Sequence, residues 1–187
     1  GIAEQHAVTF SAGMATQGCI VFCNIYSTFL QRAYDQVIHD VCLQNLPVVF
    51  CLDRAGMVGE DGATHQILED IGLMKMLPGM TVINTCDYNQ TKAATIAIAD
   101  FEGPVYLRFG RPKVANFTPV DQTFEVGKGL LLQEGADVTI VATGHLVWEA
   151  LGAAKILKEQ GISAEVINIH TIKPLDDAII LKSVGKT

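Results

Sequence analysis

Three short stretches of the chain combine residue types that could do chemistry. The first is GIAEQH, in which the carboxylate of Glu4 lies among small and apolar residues at the start of a predicted helix. Such a carboxylate either caps the free backbone N–H groups of the first helical turn or takes part in proton transfer. Acidic residues favour helix amino termini in general, so the residues alone leave both alternatives open.

The second stretch is IYSTFLQRAYDQ, which brings aromatic side chains close to a guanidinium. Tyr26 and Phe29 follow a strand-like run, and Arg32 comes near the start of the next helix. An aromatic wall beside an arginine suits a planar cofactor and an anionic substrate. The alternative is a pair of core aromatic residues with a surface arginine, which composition by itself favours.

The third stretch is LDRAGMVGEDGATHQ, a glycine-rich loop after a predicted buried strand. It carries five charged or titratable side chains: Asp53, Arg54, Glu60, Asp61 and His65. Ligands of parallel α/β proteins bind at the carboxyl ends of strands, so this loop is predicted to be functional. Its spacing fits neither an EF-hand nor a zinc site.

The remaining histidines carry weaker signals. His39 lies among polar residues of a helix, whereas His145 and His170 follow predicted strands near the carboxyl end of the chain. We expect all three to be structural or solvent-facing. The turn ATGHLVWEA could hold an anion at a helix amino terminus, but neither GxGxxG nor a P-loop occurs.

The scaffold predicted around these stretches alternates helices and strands. Side chains recur at the spacing of one helical face in RAYDQVIHDVCLQN, namely Tyr34, Val37, Ile38, Val41 and Cys42. The segment LPVVFCLDRAG that follows is typical of a strand buried on both faces. The cycle continues through EDIGLMKML (helix), MTVINT (strand), YNQTKAATIAIAD (helix) and PVYLRF (strand). The expected fold is therefore α/β, with a parallel sheet and helices on both faces.

The pattern changes after residue 112. Prolines, glycines and weak periodicity predict a linker over 113–124, and FEVGKGLLLQEG predicts a hairpin. ADVTIVATG, HLVWEALGAAKILKEQG and ISAEVINIH then predict a strand–helix–strand unit whose helix ends at Gly161. We therefore expect a first domain over 1–112 and an incomplete second α/β domain over 125–187.

Composition narrows the class of protein. Apolar residues make up 49% and charged residues 18% of the 187, which indicates a folded chain. The formal net charge of −7 argues against a nucleic-acid partner. No apolar run approaches the ~20 residues of a membrane span. The five cysteines form no CxxC pair, and most lie in apolar segments such as VVFCLD. We therefore expect reduced thiols in the core and a cytoplasmic location.

The two ends of the chain lack terminal signals. The chain begins GIAEQHA, without methionine, and stops at LKSVGKT. We expect a fragment that lacks the start of the first domain and the end of the second.

Taken together, GIAEQH, IYSTFLQRAYDQ and GEDGATHQ resemble the transketolase family of thiamine-diphosphate enzymes, over essentially the whole chain. Residues 1–62 are similar to the 1-deoxy-D-xylulose-5-phosphate synthases of this family. Residues 63–187 resemble the carboxyl-terminal subunit of split bacterial transketolases, in stretches such as ATHQILEDIGL, GPVYLRFGRP and VTIVATGHLVWEALGAAKIL. They depart from the synthase pattern at Ile67-Leu68-Glu69-Asp70, where that pattern has Gly and then Phe-Asp. The resemblance implies a parallel-sheet pyrimidine-binding domain followed by part of the family's carboxyl-terminal domain.

The resemblance also assigns cofactor residues. Glu4 matches the family's catalytic glutamate, which hydrogen-bonds the pyrimidine N1′ atom so that the cofactor can lose its C2 proton. Phe29 matches the aromatic residue that packs on the aminopyrimidine ring. Tyr26 matches its neighbour in the pocket, and Arg32 matches a residue at the cofactor site.

On the substrate side, the resemblance implies two further groups. Asp61 and His65 match a loop pair that faces the substrate, where His65 would hydrogen-bond a substrate hydroxyl or shuttle a proton. Arg54 and Arg111 match arginines that grip the phosphate of a sugar-phosphate acceptor, a task suited to a planar guanidinium.

The family binds the cofactor's diphosphate and Mg²⁺ through a Gly-Asp-Gly…Asn motif in another domain, and no GDG occurs in this sequence. The resemblance therefore implies thiamine diphosphate and Mg²⁺ as cofactors, with no metal ligand in this chain. It implies a diphosphate-binding domain or subunit as partner, in a homodimer or heterotetramer. We expect no turnover by the chain alone.

The expected reaction is the transfer of a two-carbon unit to a sugar phosphate. Residues 4–61 favour synthase chemistry, in which pyruvate loses CO₂ and is joined to glyceraldehyde 3-phosphate. The alternatives are ketol transfer by a transketolase, the β subunit of a 2-oxo-acid dehydrogenase, and a fragment that only folds or binds a partner. The loop RAGMVGEDGATHQ argues against the dehydrogenase.

Overall fold

The computed structural model describes residues 1–187, which divide into two units. The first unit comprises residues 1–83 and 95–113, and the second comprises residues 84–94 and 114–187. The helices and strands in chain order are α1 (Glu4–Ala15), β1 (Val21–Tyr26), α2 (Tyr34–Gln36), β2 (Val48–Asp53), α3 (Asp70–Met76), β3 (Thr81–Asn84), α4 (Tyr88–Ala97), β4 (Val105–Arg108), β5 (Leu130–Gln133), β6 (Val138–Ala142), α5 (Leu146–Glu159), β7 (Ala164–Asn168), β8 (Thr171–Lys173) and α6 (Asp177–Val184). None of the helices has the length and apolar character needed to cross a bilayer.

The sheet of the first unit places its strands in the order β1, β2, β4, β3. β1 pairs with β2 and β2 with β4, both in parallel, so the predicted parallel α/β architecture is confirmed. Every residue of β2 except Asp53 is buried, as expected for a strand covered on both faces. Tyr26 lies opposite Asp53 and Leu52 opposite Arg108, so the carboxyl ends of three strands meet at one edge.

The segment between β1 and β2 is helical in three successive forms. A 3₁₀ helix over Ser27–Ala33 leads into α2, and a π-helical segment follows over Val37–Cys42. None of the five side chains predicted to share one helical face is exposed, so that face is confirmed. The change of helix type was not foreseen, because it alters the hydrogen-bond ladder while leaving the apolar spacing nearly unchanged.

A buried ion pair stabilises the first unit beneath the glycine-rich loop. Asp70, which is 1% exposed, accepts hydrogen bonds from the Tyr106 hydroxyl at 2.9 Å and from Nε of Arg108 at 2.7 Å. Burial and the charge of Asp70 raise the pKa of Tyr106, so its hydroxyl stays protonated and donates. An Nη atom of Arg108 would lie 3.1 Å from a Cβ at Gly56, so only a small residue fits there without a shift.

The second unit contains a three-stranded sheet in the order β5, β7, β6. β6 and β7 pair in parallel and α5 connects them, so the predicted strand–helix–strand unit is confirmed. Gly161 adopts φ +80°, and the N–H of Ile162 donates to the carbonyl of Leu157 at 3.0 Å. This left-handed glycine ends the helix as predicted.

The hairpin predicted from FEVGKGLLLQEG is wrong. β5 pairs antiparallel with β7, and residues 109–129 contain no strand that could pair with it. Before β5 the backbone binds distant side chains instead: the N–H of Gly127 donates to Thr171 at 3.1 Å and that of Gly129 to Asp176 at 2.9 Å. These acceptors lie more than 40 residues away, beyond the reach of local pattern.

Residues 113–124 contain neither helix nor strand, and their assignment as a linker between domains stays a prediction. They are anchored within the second unit by Asp87, which is 4% exposed and precedes α4. Its carboxylate accepts hydrogen bonds from the N–H groups of Phe117, Thr118 and Gln90 and from the Thr118 hydroxyl, at 2.7–2.9 Å. Burial alone would raise the pKa of Asp87, but these donors hold it below the usual 3.8.

None of the five cysteines forms a disulfide. Cys23, Cys51 and Cys86 are buried, as predicted for core residues. Cys19 departs from that prediction because it lies exposed in the segment before β1.

We expect Asp70→Ala to lower the free energy of unfolding by roughly 3–5 kcal/mol, because it removes a buried carboxylate that both Tyr106 and Arg108 bind. Urea unfolding followed by circular dichroism measures this loss. Glu69→Ala is the matched control at the adjacent exposed carboxylate, with an expected loss below about 1 kcal/mol. Equal losses in the two variants would show that the buried pair contributes nothing specific.

We expect Asp87→Asn to lower the free energy of unfolding by about 2–3 kcal/mol, because an amide facing these donors leaves a buried N–H unpaired. The depressed pKa means that the carboxylate's contribution is complete above about pH 4 and is lost as the pH falls through the folded pKa. The stability difference from the unmodified chain should therefore stay constant near neutrality and shrink on acidification. Asp121→Asn, at an exposed position of the same segment, serves as the control, and a pH-independent difference would contradict this account.

Candidate active site

The candidate site lies at the edge where β1 and β2 end. Tyr26 is the last residue of β1, and Arg54 follows the last residue of β2. Arg111 follows β4 by three residues, and Glu4 is the first residue of α1. In a parallel sheet the carboxyl ends of the strands point the same way, which is why side chains far apart in sequence converge here.

Glu4 contacts a guanidinium. Its Oε1 lies 3.5 Å from Nη1 of Arg32, and its side chain is 11% exposed. Arg32 in turn lies over the ring of Phe29, with 5.0 Å between the guanidinium carbon and the ring centroid. Of the two alternatives for Glu4, the structure therefore gives it an ionic partner rather than a hydrogen bond to the backbone of the first turn.

Three rings form an aromatic cluster beside this pair. The rings of Tyr26 and Phe29 lie 4.7 Å apart, and that of His65 meets them edge-on at 5.5 and 5.3 Å. The guanidinium of Arg54 lies 5.3 Å from the centre of the Tyr26 ring. Such a cluster presents flat apolar faces together with polar tips, which suits a planar heterocycle.

Asp61 connects the aromatic cluster to the arginines. Its Oδ2 accepts a hydrogen bond from the Tyr26 hydroxyl at 2.7 Å and lies 3.5 Å from Nε of Arg54. Its Oδ1 lies 3.6 Å from Nε of Arg111, whose Nη1 also pairs with Glu60. All eight residues predicted for the site are thus linked by direct contacts, and we call them the site cluster: Glu4, Tyr26, Phe29, Arg32, Arg54, Asp61, His65 and Arg111.

These contacts set the charge of the groups at the centre of the cluster. The hydrogen bond from Tyr26, aided by Arg111 and Arg54, holds the pKa of Asp61 below its usual value. Burial and the bond to Asp61 raise the pKa of Tyr26 to about 12. At neutral pH, therefore, Asp61 is an anion and Tyr26 is a neutral donor.

Residues that sequence reasoning did not single out hold the loop in place. Ser27 donates a hydrogen bond to the carbonyl of Arg54 at 2.8 Å, and Thr28 donates to that of Gln66 at 3.2 Å. The Gln66 amide accepts from the N–H of Val58 at 2.6 Å and donates to Gly62 at 2.8 Å. The only sequence signal was their place inside the stretches IYSTF and THQ. The residue type alone does not show whether a polar side chain will bind the backbone of a distant loop.

Backbone geometry adds to this positioning. Arg54 has φ +56°, a left-handed conformation that is rare for a residue with a long side chain. Ser27 binds the carbonyl of this residue, so the surrounding structure holds it there. Strained residues of this kind cluster at functional sites.

His39, His145 and His170 have the structural or solvent-facing environments that were expected. His39 is exposed and pairs with Asp35 at 3.0 Å. His170 is buried against the ring of Phe124, with ring centroids 4.2 Å apart, and burial lowers its pKa to about 4. His145 is half-buried and directly precedes α5.

The site cluster and the rest of the chain differ in what they could bind. The shielded carboxylate of Glu4 near the packed rings of Tyr26 and Phe29 fits an aminopyrimidine, which needs one polar partner and flat apolar walls. No group of three or more His, Cys, Asp or Glu side chains is arranged to hold a metal ion. The residues of this chain therefore fit the pyrimidine part of a cofactor and do not fit a metal–diphosphate group.

Two family models match the chain in succession. Residues 1–116 match the family model described as "Transketolase, pyrimidine binding domain". Residues 127–187 match the model described as "Transketolase, C-terminal domain".

Among curated proteins, 1-deoxy-D-xylulose-5-phosphate synthase 1 of Geobacter sulfurreducens is 50% identical over 190 residues, covering all of this chain and 30% of that protein. The 1-deoxy-D-xylulose-5-phosphate synthase of Thermomicrobium roseum is 52% identical over 184 residues, covering 97% of this chain and 29% of that protein. The chain thus spans about 30% of the length of these relatives, and its similarity to them is not confined to residues 1–62.

Among solved structures, a split-gene transketolase described as an inactive β₄ tetramer matches with a TM-score of 0.93 and 39% identity, over 99% of this chain and 60% of that one. A transketolase of Pichia stipitis in complex with fructose 6-phosphate matches with a TM-score of 0.67 and 26% identity, over 81% of this chain and 23% of that one. A pyrimidine-binding family model that covers residues 1–116 of 187 decides the assignment. The chain belongs to the transketolase family.

Proposed function

We propose that the chain forms the pyrimidine-binding half of the active site of a synthase that joins pyruvate, with loss of CO₂, to glyceraldehyde 3-phosphate. The observation that carries the proposal is the site cluster, in which direct contacts link all eight predicted residues at one edge of the sheet. Full-length relatives at 45–52% identity are named for this activity.

Thiamine diphosphate, when bound, supplies a reactive C2 carbon for two-carbon chemistry. Glu4 would hold a proton at the N1′ atom of the cofactor's pyrimidine ring, and its low exposure keeps water from competing for that bond. The rings of Phe29 and Tyr26 would orient the pyrimidine, and Arg32 would stabilise the carboxylate when it is ionised.

The other half of the site cluster would bind the substrates. His65 would hydrogen-bond a substrate hydroxyl or move its proton, from a ring that Tyr26 and Phe29 hold edge-on. Asp61 would orient Tyr26 and both arginines. Arg54 and Arg111 would bind the phosphate of the acceptor, because planar guanidinium groups match phosphate oxygens two at a time.

The remainder of the active site would come from a partner. We propose a diphosphate- and Mg²⁺-binding domain or subunit, since no group of metal-binding side chains is present among residues 1–187. A homodimer or heterotetramer would bring the halves together, and the split-gene relative is itself described as a tetramer. The chain alone would be inactive. The protein would be cytoplasmic, since the absence of disulfides among its five cysteines suits a reducing compartment.

Transketolase activity is the second candidate. The observation in its favour is the match in fold, with a TM-score of 0.93 over 99% of this chain, to the split-gene transketolase. Both candidates need Glu4 and the aromatic cluster, so the choice depends on which donor substrate the assembled site accepts.

The two reactions can be separated by complementation. The chain is mixed with a diphosphate-binding domain from a synthase relative, Mg²⁺ and the cofactor, and then assayed for CO₂ release from pyruvate and for ketol transfer from xylulose 5-phosphate. We expect CO₂ release, dependent on glyceraldehyde 3-phosphate, and no ketol transfer. Ketol transfer alone would establish the transketolase alternative. Neither reaction in an assembled, folded complex would indicate a non-catalytic fragment.

The role of Glu4 has its own test. In the complemented complex, we expect Glu4→Gln to slow deuterium exchange at C2 of the bound cofactor by about 10²–10⁴-fold, the range for loss of a positioned proton-transfer group. Proton NMR of the quenched cofactor measures the exchange. Glu102→Gln removes an exposed carboxylate outside the site cluster and should exchange at the unmodified rate. A normal rate in Glu4→Gln would overturn the assignment.

A further inference from the structure

The two arginines proposed for phosphate binding, Arg54 and Arg111, are already paired with carboxylates. We call them the guanidinium pair. Asp53 contacts Arg54, Asp61 contacts both arginines, and Glu60 contacts Arg111. Three negative charges therefore face two positive ones, and a phosphate approaching this surface meets a net negative charge. A phosphate that bound both guanidiniums would compete with these carboxylates for the same positive charge.

The three carboxylates differ in how firmly they are held. Asp61 has a hydrogen bond from Tyr26 and two cationic neighbours, and its side chain is 21% exposed. Asp53 is the last residue of β2, where strand pairing fixes its backbone. Glu60 lies in a single 3₁₀ turn over Gly59–Asp61, and its side chain is 77% exposed. Arg111 is the only side chain with which it pairs.

The backbone around Glu60 also permits movement. Gly59 on one side has φ +43°, and Gly62, next to Asp61, has φ +81°. A Cβ at either glycine would meet no atom within 4 Å, so the turn is not tightly packed at these two positions. An exposed ion pair is weak because water screens it, and the Glu60 carboxylate can therefore be exchanged for a stronger anion.

We propose that Glu60 is an exchangeable counter-ion of Arg111, which the phosphate of the acceptor substrate displaces. This rests on the proposed function, because it takes the guanidinium pair as the phosphate site. A phosphate dianion carries more charge than a carboxylate and offers oxygens to both arginines at once. Glu60 thereby sets the affinity for the acceptor and favours dianionic ligands over singly charged ones. Its contact also raises the pKa of Arg111, so the guanidinium stays charged throughout.

The proposal predicts that removing the charge of Glu60 tightens phosphate binding. The intact chain is titrated with inorganic phosphate at constant ionic strength, and ³¹P NMR line widths give the dissociation constant. We expect Glu60→Gln to lower that constant about two- to fivefold, the factor that corresponds to the usual strength of an exposed ion pair. The gain should shrink at high salt, because screening weakens an exposed pair further. Glu60→Asp, which keeps the charge on a shorter side chain, should lie between Glu60→Gln and the unmodified chain.

Two further variants separate this inference from the function on which it rests. Glu102→Gln makes the same change of net charge at an exposed position outside the site cluster, and it should bind phosphate as the unmodified chain does. Arg111→Gln should lose binding. If Arg111→Gln loses binding while Glu60→Gln matches the unmodified chain, the counter-ion proposal is wrong and the phosphate site stands. If Arg111→Gln binds normally, phosphate does not use the guanidinium pair and both proposals fail.

Discussion

The hydrogen bond between the Tyr26 hydroxyl and the Asp61 carboxylate joins the two halves of the candidate site. On one side Tyr26 belongs to the aromatic cluster with Phe29 and His65, and on the other Asp61 holds Arg54 and Arg111. The bond from Tyr26, aided by both arginines, lowers the pKa of Asp61, so the carboxylate is ionised at neutral pH. It adds to the hydrogen bonds by which Ser27 and Thr28, just after β1, bind the same loop.

The loop is also held from below. The buried pair of Asp70 and Arg108 places a guanidinium beneath Gly56, and the side chains of Ser27 and Thr28 bind the loop's carbonyl groups. These contacts are mostly buried or half-buried, where hydrogen bonds and ion pairs are least screened by water. The exposed Glu60 has no such support. With the loop fixed by these contacts and only the Glu60 carboxylate loosely held, an anion can bind the arginines while the other site residues stay in place.

The side chains present indicate which parts of the cofactor and substrate this chain would bind and which its proposed partner would bind. The chain offers a shielded carboxylate, packed aromatic rings and two arginines at one edge of the sheet, which suit the pyrimidine of the cofactor and a phosphorylated substrate. No group of side chains arranged for a metal ion occurs in residues 1–187. Similarity to both the synthases and the split-gene transketolase extends along the whole chain, so the donor substrate is the property that distinguishes the two candidates.

Local sequence pattern determined the order of helices and strands from α1 to β4 and the unit of β6, α5 and β7. It also determined the buried face of the helical segment that contains Val37 and Val41 and the stop at Gly161, because neighbours within a few residues specify these features. The resemblance to the family supplied the membership of the site cluster. Only the tertiary structure decided which groups pair: Tyr26 with Asp61, 35 residues apart, and Asp70 with Arg108, 38 residues apart. It likewise gave Glu4 an arginine instead of a helix cap and gave β5 the strand β7 as its partner. Contacts at such separations depend on strand order and register, which periodicity does not encode.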